Sequence, residues 1–271
     1  MKFSRFTHGD VDYHVSEAGE CDGPAILLLA GLASDGRSWQ PIQSALGNQF
    51  RLIMPDNRST GRTLPHNAPI NFLAMVDDYA ALLDHYELGP CIVLGHSMGA
   101  SMALDLAARY PALVSRLILA AGSPTMPDHM KYLMGDLASL RRDDKNLERW
   151  YRLLFQWLFA PSFFADERTV MAAAQMSVAM PDGQSAEQFS AQVEALVKTD
   201  FTDAVAKVTC PTLVLNGEFD RFFHGFHEVK SFSDIAHSQI KILTNAGHSL
   251  HWDQPEAFVN AVMAFLRDES G

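Results

Sequence analysis

The chain has 271 residues, of which 48% are hydrophobic and 20% are charged. This balance is typical of a soluble globular protein with a sizeable core, and it excludes disordered, collagen-like and coiled-coil chains. The formal net charge of −11 repels phosphate backbones and anionic lipids, so we expect neither nucleic acid nor a membrane as a partner.

Cysteine usage and the first residues bear on the compartment in which the protein works. Cys21, Cys91 and Cys210 lie far apart and form no CxxC pair, which favours reduced thiols over a disulfide framework. The first residues lack the continuous apolar run of a signal peptide. The apolar run at residues 25–30 is too short to span a bilayer. We therefore expect a cytoplasmic protein.

The first 123 residues predict alternating strands and helices. Two strands joined by a tight turn are predicted first, at residues 2–7 and 11–16. Continuous apolar runs, typical of strands buried on both faces of a parallel sheet, follow at residues 25–30, 51–55, 91–94 and 117–120. Apolar residues at helical spacing predict helices at residues 70–86 and 98–110. This alternation indicates βαβ units.

The pattern changes at residue 124. Residues 124–203 contain no convincing strand and predict several helices rich in aromatic residues and Met. The alternation then resumes, with predicted strands and a last helix at residues 212–215, 239–243 and 255–267. Because neither flank holds a complete sheet, we interpret residues 1–123 and 204–271 as one α/β core, and residues 124–203 as an inserted helical lid. The predicted fold is α/β, with a mostly parallel sheet and helices on both faces.

A GxSxG motif at residues 95–99 is the sharpest chemical signal. It lies between a predicted strand and a predicted helix, as in a nucleophile elbow, where a tight turn exposes the serine Oγ above the sheet. The strained turn leaves little room for side chains at Gly95 and Gly99. The motif therefore predicts Ser97 as a nucleophile, and His96, whose side chain points away from Ser97, as a structural residue.

A serine nucleophile needs a base, and the base needs an orienting acid. His248 follows the last predicted strand and Asp220 follows the strand before it, so both fall at the sheet edge that holds Ser97. The chain order Ser97, Asp220, His248 is the order of this architecture. Glu218 stays an alternative acid, and His251 an alternative base.

An oxyanion hole requires two backbone N–H groups directed at the developing alkoxide. Met98, the residue after the nucleophile, supplies one, and Leu32, after the first parallel strand, supplies the other. Gly31 provides the turn before Leu32. The alternative is that Gly31 only ends the strand.

These motifs resemble the α/β-hydrolase superfamily, in its compact lid-bearing group of enol-lactonases, ring-cleavage hydrolases and cofactor-free haloperoxidases. The resemblance covers essentially the whole chain, least firmly residues 124–203. It also rests on residues 56–62, similar to the family's D-x-R-x-x-G-x-S loop but here ending in Thr63, and on residues 217–220 and 247–256. One departure is Ala30 before Gly31, where relatives commonly have His. Asp56 and Arg58 are expected to hold their loop by an ion pair or hydrogen bonds.

The motifs and the resemblance predict a serine hydrolase that forms an acyl-enzyme on Ser97 and cleaves a small to medium, hydrophobic ester, lactone or thioester. The same residues would serve a C–C bond hydrolase of a ketonic substrate. A non-catalytic small-molecule receptor on this fold is the alternative from another class. We expect no cofactor, because a GxGxxG motif and a P-loop are absent.

Two further expectations concern metals and the pocket. His224, His227, His248 and His251 make no recognised ligand pattern, so no metal is expected. Aromatic residues of the predicted lid either line an apolar substrate pocket or form helix core, and those assigned to the pocket are Trp150, Phe155, Trp157 and Phe159. The physiological substrate and the oligomeric state are not indicated by the sequence.

Overall fold

A computed structural model describes residues 1–223 and 231–268. Within them, eight strands form one sheet in the order β1-β2-β4-β3-β5-β6-β7-β8. The strands are β1 (Lys2–His8), β2 (Val11–Gly19), β3 (Ala25–Leu29), β4 (Arg51–Pro55), β5 (Cys91–His96), β6 (Val114–Ala120), β7 (Thr212–Gly217) and β8 (Ser238–Leu243).

The α-helices of the described residues follow the strands in the predicted alternation. They are α1 (Gln40–Gly47), α2 (Phe72–His85), α3 (Met98–Arg109), α4 (Asp128–Asp143), α5 (Leu147–Leu158), α6 (Glu167–Ala179), α7 (Ala186–Val197), α8 (Thr202–Val205), α9 (Leu250–Asp253) and α10 (Pro255–Arg267). None of these helices is both long and apolar enough to cross a bilayer.

The sheet is antiparallel at one edge and parallel elsewhere. β1 pairs with β2 and β2 pairs with β4 in antiparallel fashion, and all later pairs are parallel. From β3 the chain moves first to β4 on one side and then to β5 on the other. Ligands of open α/β sheets bind at such a switch point, beyond the carboxyl ends of the strands. The loops after β3 and β5 therefore frame the expected site.

Both faces of the sheet are buried, as the continuous apolar runs predicted. In β3, Leu27 and Leu29 pack into a core with α2 and α3, whereas Ile26 and Leu28 pack into a core with α1 and α10. All four side chains are fully buried, because successive residues of a strand point to opposite faces. The α/β fold with helices on both faces is confirmed.

Residues 124–203, which we call the helical block, lie between β6 and β7. The two ends of the block meet, since the N–H of Phe201 donates to the carbonyl of Pro124 at 2.8 Å and Thr125 forms an isolated bridge with Asp200. The block has its own apolar cluster, which includes Met130, Leu137, Trp150 and Phe189.

Helix α1 and strand β5 are among the elements that differ from the sequence-based expectation. Helix α1 was not predicted, because it buries only Ile42 and Leu46 and so shows little periodicity. Strand β5 runs two residues beyond its apolar run, because Gly95 and His96 continue the parallel ladder opposite Leu119 and Ala120 of β6.

Candidate active site

Ser97 occupies a strained turn between β5 and α3. Its backbone has φ 54° and ψ −120°, in the left-handed region that residues with a Cβ rarely adopt. A Cβ on Gly95 would clash with the carbonyl oxygen of Gly99, and a Cβ on Gly99 would clash with the carbonyl oxygen of Leu29. The turn therefore requires glycine at both positions, and its geometry is that of a nucleophile elbow.

The structure brings Ser97, His248 and Asp220 into one chain of hydrogen bonds. Nε2 of His248 lies 2.8 Å from Oγ of Ser97, and Nδ1 lies 3.0 Å from Oδ2 of Asp220. His248 and Asp220 are each 3% exposed. The other carboxylate oxygen, Oδ1, accepts the N–H groups of Phe222 and Phe223 at 2.9 and 3.0 Å. The carboxylate is thus held in position from both sides.

The partners determine the tautomer of His248. An ionised carboxylate only accepts hydrogen bonds, so Nδ1 carries the proton that faces Asp220. Nε2 then has a free lone pair to accept the hydroxyl proton of Ser97. The arrangement can deprotonate the serine and hold the resulting imidazolium beside an anion.

The structure does not bring the alternative acid and base to Ser97. Glu218 is exposed, and its Oε2 accepts the N–H of Asn245 at 2.9 Å. His251 is buried with its ring 5.0 Å from that of Trp39. Burial, with His248 nearby, lowers the pKa of His251 to about 3.

His96 supports the backbone of His248. Its Nε2 donates to the carbonyl oxygen of His248 at 2.9 Å, and its ring lies 4.6 Å from that of His251. Burial and the neighbouring imidazoles hold the pKa of His96 well below its usual value. His96 is therefore a neutral donor beneath the loop of His248, in agreement with its predicted structural role.

Leu32 and Met98 line the same cavity as Ser97. Among the described residues, the N–H of neither Leu32 nor Met98 has an acceptor. A Cβ on Gly31 would lie 3.1 Å from Nδ1 of His96 and 3.2 Å from Cβ of Ser97, so glycine allows this loop to approach the serine. The two N–H groups are available to a negatively charged oxygen formed at Ser97.

Asp253 joins the loop of His248 to the helical block. Its Oδ2 accepts the N–H of Gly247 at 2.8 Å and the N–H of Ala160 at 2.9 Å. A Cβ on Gly247 would lie 2.7 Å from the nitrogen of Ala160, so the block packs directly on this loop. Burial raises the pKa of Asp253.

The charged residues after β4 form two ion pairs that support neighbouring loops. Asp56 pairs with Arg62 at 2.8 Å, and Arg58 pairs with Asp78 of α2 at 2.8 Å. Each therefore holds its loop as expected, although not by pairing with the other. Between them, Nδ2 of Asn57 donates to the carbonyl oxygen of Ala30 at 3.0 Å, a contact to the loop of Leu32 that the sequence did not indicate.

A cavity of about 440 Å³ opens over Ser97, between the sheet edge and the helical block. Phe155 and Phe159 lie on its wall, where the sequence placed them. Apolar side chains supply most of its lining, and those contributed by the block include Met130, Met134, Tyr151, Leu154, Phe155, Leu158, Phe159 and Phe163.

Trp150 and Trp157, expected in the pocket, lie away from its wall, which corrects that prediction. Trp150 is 2% exposed, and its Nε1 donates to the carbonyl of Leu137 at 2.9 Å. Trp157 packs with its ring 5.9 Å from that of Phe222. Residues of a helix are 100° apart, so the two tryptophans share a face. On that face Trp150 packs against Phe189 of the block and Trp157 against Phe222 of the core, and neither tryptophan lines the cavity.

The pocket residues of α5 that sequence reasoning missed had a recognisable signal. Tyr151, Leu154 and Leu158 line the cavity together with the predicted Phe155. Their spacing of i, i+3, i+4 and i+7 marks one face of a helix. Trp150 and Trp157, which are seven residues apart, lie on the neighbouring face.

Metal-ligating residues do not converge in the part of the chain that the structure describes. Within residues 1–223 and 231–268, no group of three or more His, Cys, Asp and Glu side chains could hold a metal ion. His224 and His227, considered as ligands in the sequence, lie outside the described residues.

Comparison with known proteins adds independent findings. A family model described as "Alpha/beta hydrolase family" matches residues 26–261. Among curated proteins, a relative named "Putative carbamate hydrolase RutD" from Serratia proteamaculans is 26% identical over 250 residues, which cover 90% of this chain and 91% of the relative.

Structural matches to solved proteins of similar fold cover nearly the entire chain. The enol-lactonase from Burkholderia xenovorans LB400 has a TM-score of 0.86 and 21% identity, and the match covers 98% of this chain and 100% of that one. A thermophilic esterase from Thermogutta terrifontis has a TM-score of 0.83 and 25% identity, with 98% of each chain covered.

Proposed function

The chain belongs to the alpha/beta hydrolase family, and from this premise we propose that it is a serine hydrolase of small to medium, hydrophobic esters, lactones or thioesters. One observation carries the proposal. Ser97, His248 and Asp220 are linked by hydrogen bonds of 2.8 and 3.0 Å at the floor of an apolar cavity. A serine outside such a chain would be a weak nucleophile at neutral pH.

The reaction proceeds in two halves. Oγ of Ser97 attacks the substrate carbonyl carbon while Nε2 of His248 takes the hydroxyl proton, and Asp220 stabilises the imidazolium. The N–H groups of Leu32 and Met98 donate to the oxyanion of the tetrahedral intermediate. The C–O or C–S bond then breaks, and His248 returns the proton to the leaving group.

The second half of the reaction releases the acyl group of the substrate as a carboxylic acid. A water molecule enters, His248 takes one of its protons, and the hydroxide adds to the carbonyl carbon of the acyl-enzyme. Collapse of this second tetrahedral intermediate breaks the bond to Ser97, whose Oγ regains the proton from His248. The same two N–H donors serve both intermediates.

The cavity supports the substrate class. A volume of about 440 Å³ lies within the range of about 300–1,000 Å³ of small-molecule pockets. Its walls are apolar, and Phe155 and Phe159 border the space over Ser97. We assign residues 124–203 as a lid on the core of residues 1–123 and 204–271, because the lid side chains close the cavity over the serine. Such a cover excludes water and strengthens the hydrogen bonds to the oxyanion.

The names of the relatives widen the list of substrates to be tested. Several curated relatives are named as putative carbamate hydrolases, and attack on a carbamate carbonyl would use the same serine, base and oxyanion donors. Carbamate esters therefore belong beside carboxylic esters, lactones and thioesters. A ketonic substrate cleaved at a C–C bond remains the alternative that uses the same residues.

The test combines covalent labelling with turnover. We expect a fluorophosphonate probe to label the wild-type protein on Ser97, located by peptide mass spectrometry, and p-nitrophenyl esters from acetate to octanoate to be hydrolysed. Ser97→Ala should abolish both signals. Absence of labelling together with absence of turnover of esters, lactones, thioesters and carbamates would contradict the proposal and favour the receptor. Labelling of Ser97 without turnover of any of these substrates would contradict it and favour the C–C hydrolase.

A further inference from the structure

Gln192 of α7 connects the helical block to the loop after β3. Its side chain is fully buried. Its Oε1 accepts the backbone N–H of Ala33 at 3.2 Å, and its Nε2 donates to Oγ1 of Thr60 at 3.0 Å. One amide of the block thus contacts two loops of the core.

The orientation of this amide is determined by its partners. Oε1 receives a second donor, Nε2 of Gln184, at 2.9 Å. A reversed amide would direct its NH₂ group at the N–H of Ala33, and two donors cannot pair. Because the N–H of Ala33 can only donate, the oxygen of Gln192 must face the loop.

Ala33, which Gln192 contacts, is the residue directly after Leu32. Ala33 has φ 58°, a left-handed conformation that costs about 1–2 kcal/mol for a residue with a Cβ. A loop in this conformation relaxes unless outside contacts hold it. Gln192 supplies such a contact on one side of Leu32, and Asn57 supplies one on the other through the carbonyl of Ala30.

We propose that Gln192 is a positioning residue, through which the helical block holds the Leu32 N–H in a fixed position relative to Ser97. The inference rests on the proposed function, because it presupposes that Leu32 and Met98 receive an oxyanion. Gln192 touches no substrate in this role. It makes the block a support for the oxyanion hole in addition to a wall of the cavity.

Gln192→Met tests the proposal, because methionine has a similar length and offers the N–H of Ala33 no strong acceptor. Gln188→Met is the matched control. Gln188 lies one turn earlier on α7, and its Nε2 donates to the core at the carbonyl of His66 at 3.1 Å without contacting Ala33. Both variants weaken contacts between α7 and the core, but only Gln192→Met removes the contact to Ala33.

The readouts are kcat and KM with p-nitrophenyl butyrate, and inhibition by phenylboronic acid, which forms a tetrahedral adduct on a nucleophilic serine. Loss of an oxyanion donor typically costs about 10²–10³ in kcat. For a displaced donor we expect Gln192→Met to lower kcat about 10- to 100-fold, with KM within about twofold. Phenylboronic acid should bind correspondingly more weakly. Gln188→Met should change kcat less than about threefold.

Gln192→Glu gives a second, independent comparison. In either protonation state the glutamate keeps a carboxyl oxygen that can accept the N–H of Ala33, and its protonated form also keeps an O–H donor for Thr60. We expect its kcat to stay within about threefold of the wild-type value. A tenfold lower kcat in this variant would overturn the inference, and this comparison decides the matter if Gln192→Met does not fold in a thermal melt.

The outcomes separate this inference from the proposed function. A wild-type protein that reacts with neither p-nitrophenyl butyrate nor a fluorophosphonate contradicts the proposed function and the inference together. An active wild-type protein whose kcat and boronate affinity are unchanged in Gln192→Met, or fall equally in Gln188→Met, contradicts the inference alone. A raised KM at unchanged kcat would also overturn it, because it would place Gln192 in substrate binding.

Discussion

Oγ of Ser97 lies 2.8 Å from Nε2 of His248, although 151 positions separate the two residues in the chain. Ser97 follows β5 and His248 follows β8, and parallel strands bring such loops to one edge of the sheet. In the proposed mechanism, this hydrogen bond places Nε2 of His248 where it can accept the hydroxyl proton of Ser97.

Ser97→Ala should abolish ester hydrolysis and leave the fold intact. Removal of the nucleophile of a serine hydrolase lowers kcat by about 10⁶, whereas a hydroxyl that faces the cavity contributes little to packing. The measurement is kcat with a p-nitrophenyl ester beside a thermal melt. Ser115→Ala, an exposed serine of β6, is the control and should keep full activity. Equal activity in the two variants would refute the assignment of Ser97.

Asp220→Asn should lower kcat by about 10⁴, because an amide no longer stabilises the imidazolium and favours the wrong tautomer of His248. Glu218→Gln is the matched control, since Glu218 is exposed and contacts the N–H of Asn245. We expect its kcat within a few-fold of the wild type. The reverse pattern, with Glu218→Gln inactive and Asp220→Asn near normal, would identify Glu218 as the acid.

Phe159→Ala and Trp150→Ala should distinguish a residue that lines the pocket from a residue that forms the core of the helical block. Phe159 lines the cavity, so its replacement should change KM and shift the preference toward longer acyl chains. Trp150 is buried against Phe189 with ring centroids 5.1 Å apart. Its replacement should cost about 3–5 kcal/mol of unfolding free energy, with the acyl preference unchanged. An acyl-chain series and a denaturant titration on both variants make the comparison.

Stability should fall on acidification because of His251. Its pKa is lowered to about 3 in the folded protein, against about 6.5 in the unfolded chain. Between these values the unfolded chain binds more protons, so the unfolding free energy falls as pH decreases, by about 1.4 kcal/mol per pH unit for this group. Its contribution is complete above pH about 6.5.

His251→Gln is the test of this pH dependence. It removes the titrating group, so urea titrations between pH 6.5 and 4 should show a shallower decline in stability than the wild type. The exposed His129 provides the control, because His129→Gln should leave the slope unchanged. An identical slope in His251→Gln and the wild type would show that another group causes the acid sensitivity.

The parallel strands could be predicted because burial on both faces leaves a continuous apolar run in the sequence. Residues 51–55 and 255–267 match β4 and α10 residue for residue. Helix α1 escaped prediction because it buries only Ile42 and Leu46. The strand order could not be predicted either, since it depends on which side of the sheet each crossover takes.

The helical block shows a second limit of prediction from the sequence. Helix α5 has large apolar side chains on more than one face, and Trp150 and Trp157 share one face while Tyr151 and Phe155 lie on another. Helical periodicity shows which residues share a face, but the neighbouring helices decide which face meets the cavity. Of the four aromatic residues assigned to the pocket, Phe155 and Phe159 therefore line the cavity, whereas Trp150 and Trp157 do not.

The fold class and the three residues that meet at the sheet edge were predictable from the sequence. Ser97, Asp220 and His248 could be selected because strand ends constrain the positions of the residues that follow them. The contact between Gln192 and Ala33, which are 159 positions apart, becomes visible only once the chain is folded. A contact between a helix and a distant loop leaves no periodic signal in the chain, because it depends on how two separately folded layers pack together.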